Sequence, residues 1–428
     1  MSGGTAAAWV GTLLLASVAA ASPAEDGGDR PAAKPDVRLE ATLRSDLFQP
    51  SRSDDLSRTT QVTTLQVQAL PRWGEALDAQ VKLRAKASNE PRQTREALPT
   101  VVEAYVTMRY RDADLSVGKQ LVIWGRADGI NPTDNITPRD TLTWLPWDSD
   151  QRFGVWGLRY NQYFDAGLSL SAFYTPLFSS SLLPKPVLPN PVLSPRPPRN
   201  AANSVVALKL DRSGAEVDWS VSHYRGLSLL PDARILGSNA LGPLLAYHHD
   251  RVDIWGADLA ARMGHFVLRS ELAWTQPGNS DDGAAAVKKP SLFGIVGIER
   301  ALDDSLSING QWFLRRIRSY ANPYALVDPG QRFLAVQNAI TDGQQDRLSQ
   351  GGSLRIAKKW LGESLQGELL ISYNRTRKDY LARPTLSYAF DDSTQATIGA
   401  YYFDGRDDSF FGRKRADRRL FAEIRYSF

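Results

Sequence analysis

The chain has four histidines, and two of them, His248 and His249, stand beside Asp250. A histidine next to a carboxylate has the make-up of a general base. A hydrolase needs a partner for that base: a serine in a nucleophile elbow, or a second histidine at H-E-x-x-H spacing to hold zinc. The sequence has neither, and no cysteine that would supply a thiolate nucleophile or metal ligand. With no matched constellation, we expect no catalysis, no metal and no cofactor. What remains is binding chemistry. Trp144 and Trp147 with Asp148 and Asp150 offer ring faces and carboxylates to a sugar, whose C–H faces stack and whose hydroxyls donate. The same tryptophans suit an aromatic girdle at a membrane surface equally well.

Charge is nearly balanced, 51 Lys and Arg against 47 Asp and Glu, and no basic tail stands out, so nucleic acid is not an expected partner. What distinguishes the charges is their spacing. Val37, Leu39, Ala41 and Leu43 alternate with Arg38, Glu40, Thr42 and Arg44. Val81, Leu83 and Ala85 alternate with Gln80, Lys82, Arg84 and Lys86, and Val102 to Tyr110 alternates with Glu103, Tyr105, Thr107 and Arg109. Leu268 and Leu272 oppose Arg269 and Glu271, while Trp312 and Leu314 oppose Gln311 and Arg315. A period of two puts successive side chains on opposite faces of a strand. Eighteen such segments run from Val37 to the end, with sixteen as the alternative count. The last ends RRLFAEIRYSF, where Leu420, Ala422, Ile424, Tyr426 and Phe428 share one face and Phe421, Glu423 and Arg425 the other.

A soluble sandwich would alternate too, so the connections decide the class. Short turns, such as Pro71 to Gly74, Arg111 to Asp114 and Asp391 to Thr394, separate long connections such as Arg126 to Gln151, Leu227 to Arg251 and Thr376 to Pro384. That rhythm predicts an all-β protein: a transmembrane antiparallel barrel of about eighteen strands, with short periplasmic turns and long extracellular loops. No stretch after residue 21 approaches the ~18 apolar residues of a spanning helix. Ahead of the barrel, residues 1–21 close on small residues and read as a signal peptide cut after Ala21, although no Lys or Arg precedes the apolar core. Residues 22–36 read as a short periplasmic tether and residues 37–428 as the barrel. The proline-rich segment Ser179 to Asn203 is read as a lid over the mouth or an exposed loop, and Phe333 to Ile340 has room for a helix. Tyr426 and Phe428 are the expected signal to barrel-insertion machinery.

The segment VGKQLVIWGRADGINPTDNITPRD, Val117 to Asp140, joins a Gly-Lys-Gln strand to Trp124-Gly125 and Asn131-Pro132-Thr133-Asp134. It resembles the strand and loop of alginate-export-type and related outer-membrane barrels, with Lys119 where Arg is common there. The resemblance implies that Lys119, Gln120 and Arg126 line a pore and that Asp128, Asn131, Asp134 and Asp140 belong to a loop narrowing it. Strand phase adds Lys82, Arg84, Lys86, Glu103, Arg109, Arg269, Glu271, Arg315, Glu423 and Arg425 to the lumen. A surplus of bases there would favour anions. The expectation is a channel in the Gram-negative outer membrane, reached by secretion through the inner membrane, with lipid and lipopolysaccharide as surroundings. On the resemblance its solute is an exported polysaccharide, with other export components as partners. The alternatives are an uptake porin for small anions or carbohydrates and a surface adhesin or assembly barrel. Monomer and trimer stay open.

Overall fold

The computed structural model describes residues 35–50, 59–89, 100–140, 151–183, 190, 192–195, 197–198, 200–240, 242–278 and 287–428. The expected signal peptide and Trp144, Trp147, Asp148 and Asp150 lie outside them. In chain order the strands are β1 (Asp36–Pro50), β2 (Thr60–Trp73), β3 (Leu77–Ser88), β4 (Thr100–Tyr110), β5 (Ala113–Gln120), β6 (Val155–Tyr163), β7 (Leu168–Thr175), β8 (Val205–Arg212) and β9 (Val217–Leu227). They continue with β10 (Asp232–Asn239), β11 (Gly242–His248), β12 (Arg251–Met263), β13 (Phe266–Pro277), β14 (Ser291–Ala301), β15 (Leu306–Ile317) and β16 (Leu348–Trp360). The last four are β17 (Leu365–Asn374), β18 (Asp379–Ala389), β19 (Thr394–Asp404) and β20 (Arg419–Ser427).

Eighteen of these form one antiparallel sheet, and the hairpin β10–β11 stands apart in a long connection. The sheet closes on itself. β1 pairs with β2 on one side and β20 on the other, and the Ala41 and Phe428 backbones exchange hydrogen bonds of 2.8 and 2.9 Å. Closure leaves no unpaired edge, which a sheet surrounded by lipid requires. Leu43, Leu47, Trp255, Val296, Trp312, Ile398 and Ile424 are exposed on the outer face, while Arg44, Asp46, Ser116, Asp258, Thr397 and Glu423 are buried on the inner one. That inside-out pattern is what alternation gives when the solvent outside is hydrocarbon. Among the described residues, no helix is long and apolar enough to cross a membrane.

One expected connection is not a loop. β17 and β18 are joined by residues 375–378 alone, and Pro384 sits inside β18 opposite Leu369. The sequence expectation ran that connection from Thr376 to Pro384. The proline is tolerated because the pairing with β19 is already interrupted between Ala382 and Thr385. The expected helix is present as α1 (Pro329–Asp342). Asp328 caps its first turn by accepting from the Gln331 amide at 2.7 Å, and Gly343 ends it in the left-handed region. α1 packs on the β10–β11 hairpin at the long-loop end, where Val192, Ala233, Leu245 and Leu334 form a small apolar core. The described part of the proline-rich segment belongs to this assembly: Leu193 bridges the backbone of β11 through Leu245 and Tyr247 at 2.9 Å.

Candidate functional site

Nine-residue β6 does not follow directly on β5; residues 121–154 intervene, and their first twenty fold into the lumen. The local sequence explains the shape. Gly118 approaches β4 so closely that an added Cβ would lie 2.3 Å from the Ala104 carbonyl oxygen. Gln120 is fully buried and donates to the Gly157 carbonyl at 3.2 Å. Beyond it, Thr137 ties the two limbs of the loop together, taking the Val122 amide at 3.0 Å and giving its hydroxyl to the Val122 carbonyl at 2.7 Å. Gly125 has a φ of 95°, and a Cβ there would meet the Asn131 side chain at 2.2 Å. Asn131 uses that space to bond the Trp124 carbonyl at 2.8 Å. The Trp-Gly and Asn-Pro-Thr pieces of the motif are thus two halves of one turn.

The loop lies on the wall because that wall is apolar where it touches. Val122, Trp124 and Ile136 pack against Phe173, Val205, Ala207, Tyr224, Val252, Ile254 and Ala273, from β7 to β13. Polar clamps fix it in place. Glu271 on β13 accepts from the Arg126 and Ala127 amides at 2.6 Å each, and from the Thr133 amide and hydroxyl at 3.2 and 2.9 Å. The Arg126 guanidinium pairs with Asp258 on β12 and with Asp211 on β8, the latter at 2.9 Å. Asp134 has no exposed side-chain surface and joins Arg139 at 3.1 Å and Arg152 at 2.5 Å. At the tip Asp128 comes within 3.5 Å of Arg355 on β16. Asp140 pairs its backbone amide with the Gln151 carbonyl at 2.5 Å and closes the loop's base.

The wall that the loop leaves bare, from β16 through β20 and β1 to β5, is basic. Arg355 and Arg383 share Glu368 at 2.8 and 2.9 Å. Arg44 lies 3.1 Å from Asp46 and 3.5 Å from Glu423, which also takes Arg425 at 3.0 Å. Arg84 donates to Gln66 at 3.2 Å, and Lys82 and Lys86 share its inner phase. Glu103 is occupied by Gln80 at 2.6 Å and the Leu121 amide at 3.1 Å. In this cluster Arg44, Arg84, Arg355, Arg383, Arg425, Lys82 and Lys86 outnumber the carboxylates they surround, Asp46, Glu103, Glu368 and Glu423. A low-dielectric channel wall focuses such a surplus into a positive potential.

The remaining sequence expectations divide. Lys119 is a correction: it was expected in the pore, but it shares the outer phase of β5 with Leu115 and Val117, opposite Ala104 and Trp156. The local period of two decides its side, and its ammonium turns back to the Val101 carbonyl at 2.5 Å. Arg269, inward as expected, bonds the Arg126 carbonyl and Glu299, both at 3.2 Å, and so braces the loop. Arg315 is drawn to the Asp342 carbonyl at the end of α1, 2.6 Å away. Arg109 pairs with Asp78 near the short-turn end. Tyr426 and Phe428 face outward, rings 5.5 Å apart. His248 lies 3.3 Å from Asp250, but His249 turns away and bonds the Ser228 carbonyl at 2.7 Å. Sequence reasoning did not select Asp211, Asp258, Arg152, Arg355 or Arg383. Strand phase would have placed Asp258, Arg355 and Arg383 inward, but nothing local marks which charges meet the loop.

No family model and no curated protein matches the sequence. Solved structures do share the architecture. OccK5 (OpdH) of Pseudomonas aeruginosa superposes with a TM-score of 0.51 at 11% identity, covering 92% of this chain and 97% of its own. OpdK of the same organism, in a structure with vanillate, gives 0.51 at 11% identity, with 92% and 98% covered. A loop-deletion form of OmpT, an outer membrane protein of Vibrio cholerae, gives 0.45 at 12% identity over 92% and 100%. What the two Pseudomonas aeruginosa structures share with the chain is the fold.

Proposed function

We propose that this protein is a passive outer-membrane channel that takes up small polar solutes and prefers anions. The observation that carries the reading is the pairing of a clamped inward loop with a bare, base-rich wall facing the remaining lumen. The inside-out barrel supports the membrane location, and vanillate in the OpdK structure agrees with the solute class. No catalytic role is included. An inward loop fastened at Glu271 and Arg126 leaves less lumen for a polymer chain, which favours uptake of small solutes over polysaccharide export. Export remains the second reading, supported by the likeness of the Trp124-Gly125 and Asn131 to Asp134 segment to export-type barrels.

Reversal potentials in planar bilayers under a salt gradient test the proposal. We expect an open, anion-preferring channel, and a shift toward cations when Arg355 and Arg383 are both changed to Gln. A silent barrel would overturn the channel reading. Passage of long dextrans in a liposome assay would move the assignment to export.

A further inference from the structure

The lumen holds a polar recess of about 430 Å³ at its short-turn end, lined by inward residues of β3 to β6 and the end of β2. Its size falls in the ~300–1,000 Å³ range of small-molecule sites. Most of its charges are already matched. Arg109 pairs with Asp78, and Asp114 accepts the Tyr163 hydroxyl at 2.8 Å. Arg72 bonds the Gly74 carbonyl at 3.0 Å. Arg159 is the exception. No carboxylate lies within ion-pair distance of it among the described residues, and its buried Nε has no hydrogen-bond partner. The buried Nε is closed to a solute, but the terminal nitrogens of this guanidinium make no hydrogen bond or ion pair among the described residues and can take an anion in the recess. Tyr105 and Tyr163 also line the recess, and Leu70 and Pro71 give it an apolar edge.

Resting on the channel reading above, we infer that this recess is a second binding site, downstream of the loop, for a small organic carboxylate. The Arg159 fork takes the carboxylate in a planar, two-point geometry, and the tyrosine rings flank the solute body. Such a site would hold the anion after it leaves the constriction and before it enters the compartment at the short-turn end.

Benzoate is the probe, and its binding to the detergent-solubilised full chain is measured by calorimetry, independently of conduction. We expect saturable binding that weakens at least tenfold in Arg159→Gln and by an intermediate factor in Arg159→Lys, which keeps the charge but loses the fork. Arg159→Lys keeps the test open if Arg159→Gln does not fold. Unchanged affinity in a folded Arg159 variant, no saturable binding by the wild type, or equal competition by inorganic phosphate would each overturn the site. None of these touches conductance, so a silent barrel in bilayers separates failure of the channel reading from failure of the recess.

Discussion

Glu271 illustrates how one side chain holds a loop. Its two oxygens accept four hydrogen bonds from residues 126, 127 and 133; three of the donors are backbone amides, and of these the Thr133 amide also reaches Asn131 Oδ1 within the loop at 3.2 Å. Removing the acceptor leaves buried donors unmatched, at about 1–3 kcal/mol each. Glu271→Ala should therefore release the loop, giving larger and noisier single-channel currents; a trace indistinguishable from wild type would refute the clamp. Gly125 makes a complementary case. A methyl group there meets Asn131 at 2.2 Å on a backbone with φ of 95°. Strain and overlap together should cost Gly125→Ala about 1–3 kcal/mol. The check is the temperature at which the folded barrel loses its compact electrophoretic mobility, which should fall.

At the scale of elements, α1 and the β10–β11 hairpin dock through a buried charge cluster as well as an apolar core. The Lys288 ammonium lies 3.0 Å from Asp342 and 3.8 Å from Asp232, and donates to the Ser228 hydroxyl at 2.8 Å. Beside it His249 is enclosed, its ring 4.8 Å from that of Phe178. Burial pushes the His249 imidazole down to about 4, with Lys288 and His248 adding to the effect and the Ser228 carbonyl and Asp250 opposing it. The undocked segment takes up a proton near 6.5 and the docked one only near 4, so this group's contribution is intact above pH 6.5 and falls between 6.5 and 4. Burial and Asp342 raise Asp232, which works in the opposite direction on acidification. Comparison with His249→Gln isolates the histidine. Resistance of residues 318–347 to protease should drop between pH 7 and 5 more steeply in wild type than in the variant. Parallel profiles would count against it.

The closed cylinder is the largest unit, and its seam is β1 against β20. Phe428 contributes its backbone to that seam and its exposed ring to the outer face. Phe428→Ser keeps the backbone bonds but removes an apolar anchor from the membrane-facing surface. We expect less folded barrel recovered in membranes and unchanged conductance per inserted channel; full recovery would remove the residue from the insertion step.

Alternation at every second position and the rhythm of short and long connections were enough to read an eighteen-strand barrel, because both are set by neighbouring residues on one backbone. The motif from Trp124 to Asp134 was legible for the same reason: Gly125 and Asn131 answer to each other within one turn. The side of Lys119 was also local, and the expectation failed where the resemblance was followed instead of the strand phase. Other features needed the closed structure. Arg126 and Glu271 are 145 residues apart, and Arg355 and Asp128 are 227 apart. Which bases stay available to a solute and which are spent bracing the loop or α1 depends on how distant strands register around the cylinder. The sequence by itself determined the wall; only closure of the barrel decided what the wall holds inside, since that pairing is between segments no local period relates.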